Sequence, residues 1–409
     1  MYRYDLISCH DCGVLHRRRP VRPREKARCV RCHSVLYRGI YSDATRMAAI
    51  TLGALIVYLI AQCCPIVELE VGGTVSRATL LGAVFVLWQE HMEPVAIAVF
   101  MFTILLPAME LLSLLHVMLA LSRGHKPRAL NQLLHVAYLA RRWGMTEVLM
   151  IGILITIVKM TSLAKVVVQP GLFAFGALTL MLAIVVSFNP KILWNLGDAL
   201  SPPSAGPLPA PHEALACHVC GLVSPPQKHC PRCHSRLHHR RPDSVGRTWA
   251  YLIAAAILYI PANVLPVMYT HSLFGQEDDT IISGVLYFWH SGSPALAAII
   301  FIASITVPVL KLAALTLLTW TAQRRSRWRP QQRTRLYRLV EFVGRWSMLD
   351  IFVITLTVAL VRFHSLATIT AGPGALAFCA VVVLTMLASM QFDPRLIWDP
   401  VPSNGEQHA

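Results

Sequence analysis

The sequence predicts an all-α polytopic membrane protein built from two tandem repeats, each a small metal-binding ribbon followed by a four-helix transmembrane unit. Three observations predict it. Of the 409 residues 55% are hydrophobic and only 14% charged, and a mean hydropathy of +0.53 is too apolar for an ordinary soluble protein. Two four-cysteine clusters, Cys9-X-X-Cys12 with Cys29-X-X-Cys32 and Cys217-X-X-Cys220 with Cys230-X-X-Cys233, each precede a set of apolar spans. Later landmarks recur as well. Arg142-Trp143-Gly144-Met145 corresponds to Arg345-Trp346-Ser347-Met348, and Phe188-Asn189-Pro190-Lys191 with Trp194 to Phe392-Asp393-Pro394-Arg395 with Trp398.

The expected order is a ribbon over 1–40, a membrane unit over 41–198, a Pro-rich linker over 199–214, a second ribbon over 215–241, a second membrane unit over 242–399 and an unstructured tail over 400–409. The first residues are polar, Arg-rich and cysteine-bearing, unlike a cleavable signal peptide. A CxxC pair puts two thiolates on one tight turn, and two turns close a tetrahedron around Zn²⁺. The intervals between pairs, 16 and 9 residues, suit two zinc ribbons. With four protein ligands no position stays open for substrate, so the role is structural. Iron in a rubredoxin-type site is the lesser alternative. His10, His33, His218 and His234 read as neighbours of the sites or as solvent-facing residues. Cys63, Cys64 and Cys379 belong to no knuckle and read as apolar packing.

A bilayer core needs about 20 apolar residues per helix. The first copy offers 46–64, 94–121, 143–162 and 171–190, and the second 248–266, 294–320, 346–362 and 373–392, eight spans in all. Segments 80–90 and 281–290 are apolar but short, and read as interfacial or re-entrant pieces or as strands outside the cytoplasm. The net charge of +16 is concentrated between spans, at 122–142 and 324–345, while 66–79 carries only Arg77, 163–170 only Lys165 and 267–280 no base. That distribution puts both termini and both ribbons in the cytoplasm, and points to topology and lipid headgroups rather than nucleic acid. Trp143, Trp320, Trp346 and Trp398 fit an aromatic belt on the same side.

Ionisable residues inside spans are costly. Glu110 and Lys311 occupy matching places, each three residues after a proline, Pro107 or Pro308, where a kink is expected. Glu147 and Asp350 match in the third spans. Lys311 lies roughly 13 Å along its helix from Trp320, near the bilayer middle, and Ser304 is on the same helix face. Lys311, Asp350, Thr385 and Ser304 form one expected polar network, with Glu110, Glu147 and Ser389 as weaker candidates. An ion pair that only locks helix packing is the plainer alternative for Lys311 and Asp350. For Glu110 and Glu147 the plainer reading, snorkelling or hydrogen bonding to backbone freed by Pro107, is the stronger one.

The second copy reads Pro261-Ala262-Asn263-Val264-Leu265-Pro266, Gln276-Glu277-Asp278-Asp279-Thr280-Ile281 and Gly344-Arg345-Trp346-Ser347-Met348-Leu349-Asp350. With the duplicated cysteine clusters, these runs resemble the paraquat-inducible protein A family, which includes LetA-type inner-membrane proteins. The resemblance implies an inner-membrane partner of an MCE-domain protein. Such a subunit loads or unloads phospholipid or another membrane lipid at the base of a periplasm-spanning tunnel and supports the envelope. It also implies that Lys311 and Asp350 are the polar core of the second unit. The first copy departs here, with Thr146-Glu147 after its Trp and Glu110 where Lys311 would stand. No Walker A, Ser-His-Asp or nucleotide fingerprint occurs, so an enzyme is not expected, and any driving force comes from a proton gradient or a partner. Two other readings are a passive scaffold for the MCE partner and a zinc- or redox-responsive regulator.

Overall fold

The computed structural model describes residues 6–19, 21–22, 25–38, 44–71, 74–89, 92–160, 165–187, 190–200, 214–272, 275–290, 292, 294–360, 362–363 and 367–400. Linker residues 201–213 and the tail 401–409 lie outside them. The first ribbon is two hairpins, β1 (Leu6–Ser8) with β2 (Leu15–Arg17) and β3 (Lys26–Arg28) with β4 (Val35–Arg38). Then come α1 (Ala44–Cys63), the hairpin β5 (Val67–Val71) and β6 (Thr74–Ala78), α2 (Leu80–Gln89), α3 (Glu93–Phe100), α4 (Leu106–Ser122), α5 (Leu130–Trp143), α6 (Thr146–Met160), β7 (Lys165–Val168), α7 (Pro170–Ser187) and α8 (Pro190–Leu200).

The second copy repeats this order. Its ribbon contains β8 (Leu215–Ala216) and β9 (Val223–Ser224). It continues with α9 (Ser244–Val264), β10 (Met268–Ser272), β11 (Gly275–Asp279), α10 (Ile281–His290), α11 (Pro294–Phe301), α12 (Val307–Gln323), α13 (Pro330–Trp346), α14 (Leu349–Leu360), β12 (Arg362–Phe363), β13 (Ala367–Ala371) and α15 (Pro373–Gln391). A short 3-10 turn, Pro394–Ile397, stands where the first copy has α8.

Among the described residues, five helical stretches are long and apolar enough to cross a bilayer: Thr45–Cys63, Glu93–Ser122, Ser244–Val264, Ala297–Gln323 and Pro373–Gln391. A sixth passes only as the pair Pro170–Val186 and Lys191–Leu200, bent by 56°. The chain is a multi-pass membrane protein. Its helices expose apolar stripes, such as Ile253, Ile257, Ile260 and Val264 along one side of α9. The expected spans 143–162 and 346–362 are cut short, because the chain breaks at Gly144 and around Ser347. The basic segments before those breaks fold separately as α5 and α13, which leaves α6 with 15 residues and α14 with 12.

The all-α expectation needs correction. Each copy carries an antiparallel sheet at one end of its bundle, in the order β6-β5-β7 in the first and β11-β10-β13-β12 in the second. The alternating run Val67-Glu68-Leu69-Glu70-Val71 makes a strand, and Arg77 sits opposite Glu68 with its Nε 3.2 Å from a Glu68 carboxylate oxygen. The short apolar pieces at 80–90 and 281–290 are therefore not strands. They are the helices α2 and α10, and the strands precede them.

Two devices recur. Directly before Pro107 and Pro308 the helix widens into a π-turn, Met101–Leu105 and Ile302–Thr306. Proline has no N–H and its ring crowds the preceding turn, so the wider turn absorbs the fault inside one continuous helix, where a sharper kink was expected. At the sheet end, the start of the last span passes under the loop that follows the first. A Cβ on Gly171 would lie 2.4 Å from the Pro65 carbonyl oxygen, and one on Gly372 2.3 Å from that of Pro266. Gly372→Ala must push backbone aside, so we expect it to lower stability by about 1–3 kcal/mol, read as a drop in thermal midpoint.

Within each copy the first helix packs on the last, α1 on α7 and α9 on α15. The copies join through α6 and α14, where a Cβ on Gly152 would stand 3.2 Å from the Phe352 Cβ. One core runs through both copies, from Tyr58 and Phe175 to Phe352 and Phe378.

Candidate functional site

Both cysteine clusters close as the spacing demands. All four Sγ atoms of each lie within 4.8 Å of one another and are buried. The closest pairs are Cys9–Cys32 at 3.4 Å, Cys12–Cys29 at 3.5 Å, Cys217–Cys233 at 3.5 Å and Cys220–Cys230 at 3.6 Å. These are far beyond a disulfide and near the ~3.8 Å edge of a tetrahedron with ~2.3 Å metal–sulfur bonds. Crowding against Cys32 and Cys9 holds the Cys12 thiol above its ordinary range, and crowding against Cys217 and Cys230 does so for Cys220. Four thiolates at this spacing repel unless a cation lies among them, so the donor set fits a metal ion. Local turns build the set. The amides of Gly13, His33, Gly221 and His234 donate to the carbonyl oxygens of Cys9, Cys29, Cys217 and Cys230, and each of these four residues has positive φ. His33 and His234 thus serve the knuckles through their backbone. His16, which drew no attention in the sequence, brings Nε2 to 3.3 Å from the Cys29 Sγ.

The ribbons are crossed. The first one sits on the second bundle. Arg338 of α13 donates to the Asp11 carboxylate at 2.7 Å and to the Cys32 carbonyl at 3.1 Å, and Arg31 stacks 4.8 Å over the Trp398 ring. The second ribbon sits on the first bundle. Arg232 reaches the Asn195 amide oxygen at 2.7 Å and the Asp198 carboxylate at 2.6 Å, and Asn131 donates to the Arg232 carbonyl at 2.7 Å. The anchors correspond. Trp194 and Trp398 are both buried, and their indoles donate to Asn131 at 3.3 Å and Thr334 at 2.9 Å.

In the second bundle, Lys311 is buried and its Nζ donates to the Thr385 Oγ1 at 2.9 Å, which in turn donates to the Val382 carbonyl at 3.0 Å. Gly344 gives the ammonium its room, since a Cβ there would lie 3.3 Å from Nζ. Ser304 is buried in its π-turn, but among the described residues no hydrogen bond joins it to Lys311. Ser389 donates to the Met386 carbonyl at 2.8 Å, and Tyr337 donates to the Ser389 carbonyl at 3.3 Å. Asp350 belongs to α14, but its side chain lies outside the described ones. In the first bundle Glu110 is buried with one carboxylate oxygen lacking a hydrogen bond, while Glu147 is exposed, so the two acids of this copy do not share one environment. Gly344 was hidden in the sequence because it acts by lacking a Cβ. Its only signal was its place beside Arg345-Trp346.

A cavity of about 350 Å³ is lined by Arg141, Arg142, Glu341, Gly344, Met386 and Ser389. Of these, Gly344 neighbours Lys311, but the lysine itself does not line the cavity.

The model of the paraquat-inducible protein A family matches residues 44–197 and again 245–401. The chain belongs to this family. The two matches coincide with the two copies seen in the fold, and the ribbons lie outside both. Among family members, the chain is 33% identical over 410 residues to the intermembrane transport protein PqiA of Escherichia coli strain K12, covering 98% of each. It is 31% identical over 402 residues to the lipophilic envelope-spanning tunnel protein A of the same strain, covering 97% of this chain and 92% of that one. A probable intermembrane transport protein of Haemophilus influenzae is 30% identical over 402 residues, covering 97% and 96%. No solved structure matches.

Proposed function

We propose that this protein is the inner-membrane subunit of an MCE-type lipid transport system, and that it passes phospholipid or another membrane lipid to or from the base of an MCE tunnel. The relatives named for intermembrane transport and for an envelope-spanning tunnel support this reading over their full length. The observation that carries it further is Lys311. A buried ammonium, held by Thr385 on a span, is expensive to keep for packing alone. In this reading it exchanges a proton as the bundle moves, with Asp350 as its partner, and so couples lipid movement to the proton gradient. The first copy, with Glu110 in place of the lysine, serves as scaffold.

The finer topology follows from charge. The Arg-rich α5 and α13 lie at the ribbon end, which supports ribbons, termini and basic helices in the cytoplasm and the two sheets in the periplasm. In this arrangement the shorter helices α6 and α14 are the seventh and eighth spans, running between the ribbon end and the sheets. Zinc is the metal that four buried thiolates in a reducing compartment select. The protein is a transporter subunit and not an enzyme. The test is the purified complex with its MCE partner, with bound lipid identified by mass spectrometry. Phospholipid retained above that of an unrelated membrane protein in the same detergent is expected. Its absence, with the complex intact, would favour the passive scaffold.

A further inference from the structure

The two ribbons and two bundles enclose a second, larger cavity of about 1130 Å³, which shares Arg141, Arg142 and Glu341 with the smaller one. Its lining is lopsided in charge: nine Lys and Arg side chains stand against Asp11, Glu341 and Asp393. Two of those acids are engaged elsewhere. Asp11 accepts from Arg338 at 2.7 Å, and Asp393 accepts from the backbone amides of Arg241 and Arg395 at 3.1 Å. Arg142, Arg236, Arg241, Arg247 and Arg395 reach the chamber from α5, the second ribbon, the segment entering α9, α9 itself and the 3-10 turn. Among the described residues none of the five guanidinium groups has a carboxylate oxygen within 4.0 Å. The partners seen for Arg142, Arg241 and Arg395 are neutral oxygens: the Tyr138 hydroxyl and the carbonyls of Met390 and His10.

Folding brings these charges together from opposite halves of the chain, against their mutual repulsion. Ribbon docking is made chiefly by Arg338, Arg31 and Arg232, and of the five only Arg395 adds to it, through the His10 carbonyl. A concave site lined by one sign of charge focuses its field on an ion of the other sign. Guanidinium forks match phosphate oxygens in pairs. The volume exceeds what inorganic phosphate fills and is at the upper end of small-molecule sites. Val186, Ile192 and Phe392 give the lining an apolar part beside the arginines.

We propose that this chamber between the crossed ribbons binds a phosphate-bearing anion through several arginines at once. The anion has two sources, a soluble phosphate compound or the headgroup of an anionic phospholipid. The site stands apart from the transport reading, since it needs neither Lys311 nor an MCE partner.

The test uses the full-length, metal-loaded protein. In neutral detergent it is titrated with pyrophosphate by calorimetry. In nanodiscs of phosphatidylcholine with or without phosphatidylglycerol, retained lipid is counted by native mass spectrometry. R142Q/R395Q should weaken one of these about ten- to a hundredfold, with metal content and thermal midpoint kept. A loss confined to pyrophosphate identifies a soluble ligand, and a loss confined to phosphatidylglycerol identifies a lipid. If that variant fails to fold, R236Q/R247Q at the exposed rim carries the test with the same expectation. The proposal is overturned if neither probe binds the wild-type protein. It is also overturned if the chamber variant binds as the wild type does, or if R324Q/R327Q, away from the chamber, weakens binding equally.

Discussion

Replacing Cys217 and Cys220 by serine should halve the metal that the protein binds and loosen the first bundle rather than the second. With a metal ion on its four thiolates, the second ribbon gains what such binding is worth in small zinc modules, about 10–16 kcal/mol. Without it, the contacts of Arg232 with Asn195, Asp198 and Asn131 are lost. Each buried polar group left unsatisfied then costs about 1–3 kcal/mol. Hydrogen exchange should therefore rise first in α5 and α8, around Trp194, while α13 and the turn at Trp398 stay protected. Serine at Cys29 and Cys32 should do the reverse, releasing Asp11 from Arg338 and exposing α13. Loosening of each ribbon's own bundle instead would show that the crossing does not exist in the membrane.

The second large effect is at Lys311. Lys311→Met keeps the length and apolar stem but removes the charge. Replacing a buried ion by an apolar side chain of similar size is often neutral or stabilising by about 1–4 kcal/mol, so the variant should be at least as stable as the wild type. Lipid transfer should nevertheless fall by about tenfold or more, the equivalent of one charge-assisted hydrogen bond. A residue that merely locks helices would give the opposite pair of results, lost stability with retained transfer.

The metal sites were legible because their information is local. Four cysteines at knuckle spacing, followed by a residue able to take positive φ, specify a turn wherever the turn is placed. The duplicated frame was legible for a similar reason, since apolar length alone marks a span. Ribbon crossing was not, because it rests on contacts such as Asp11 with Arg338, separated by 327 residues. The sheets were missed where the apolar content of 80–90 and 281–290 outweighed the alternation just before them. Of the expected polar network, Lys311 and Thr385 are joined by a hydrogen bond. Among the described residues Ser304 makes no hydrogen bond to the lysine, because it lies inside the π-turn seven residues earlier, roughly 10 Å along the helix. Glu147, matched to Asp350 in the sequence, is exposed at the start of α6.

The most direct measurement is lipid transfer in proteoliposomes carrying the protein and its MCE partner, with and without an imposed proton gradient. The wild type and a Glu110→Gln variant should respond to the gradient, and Lys311→Met should not. Equal response by Lys311→Met, in a correctly assembled complex, would contradict the assignment of the working chemistry to the second copy.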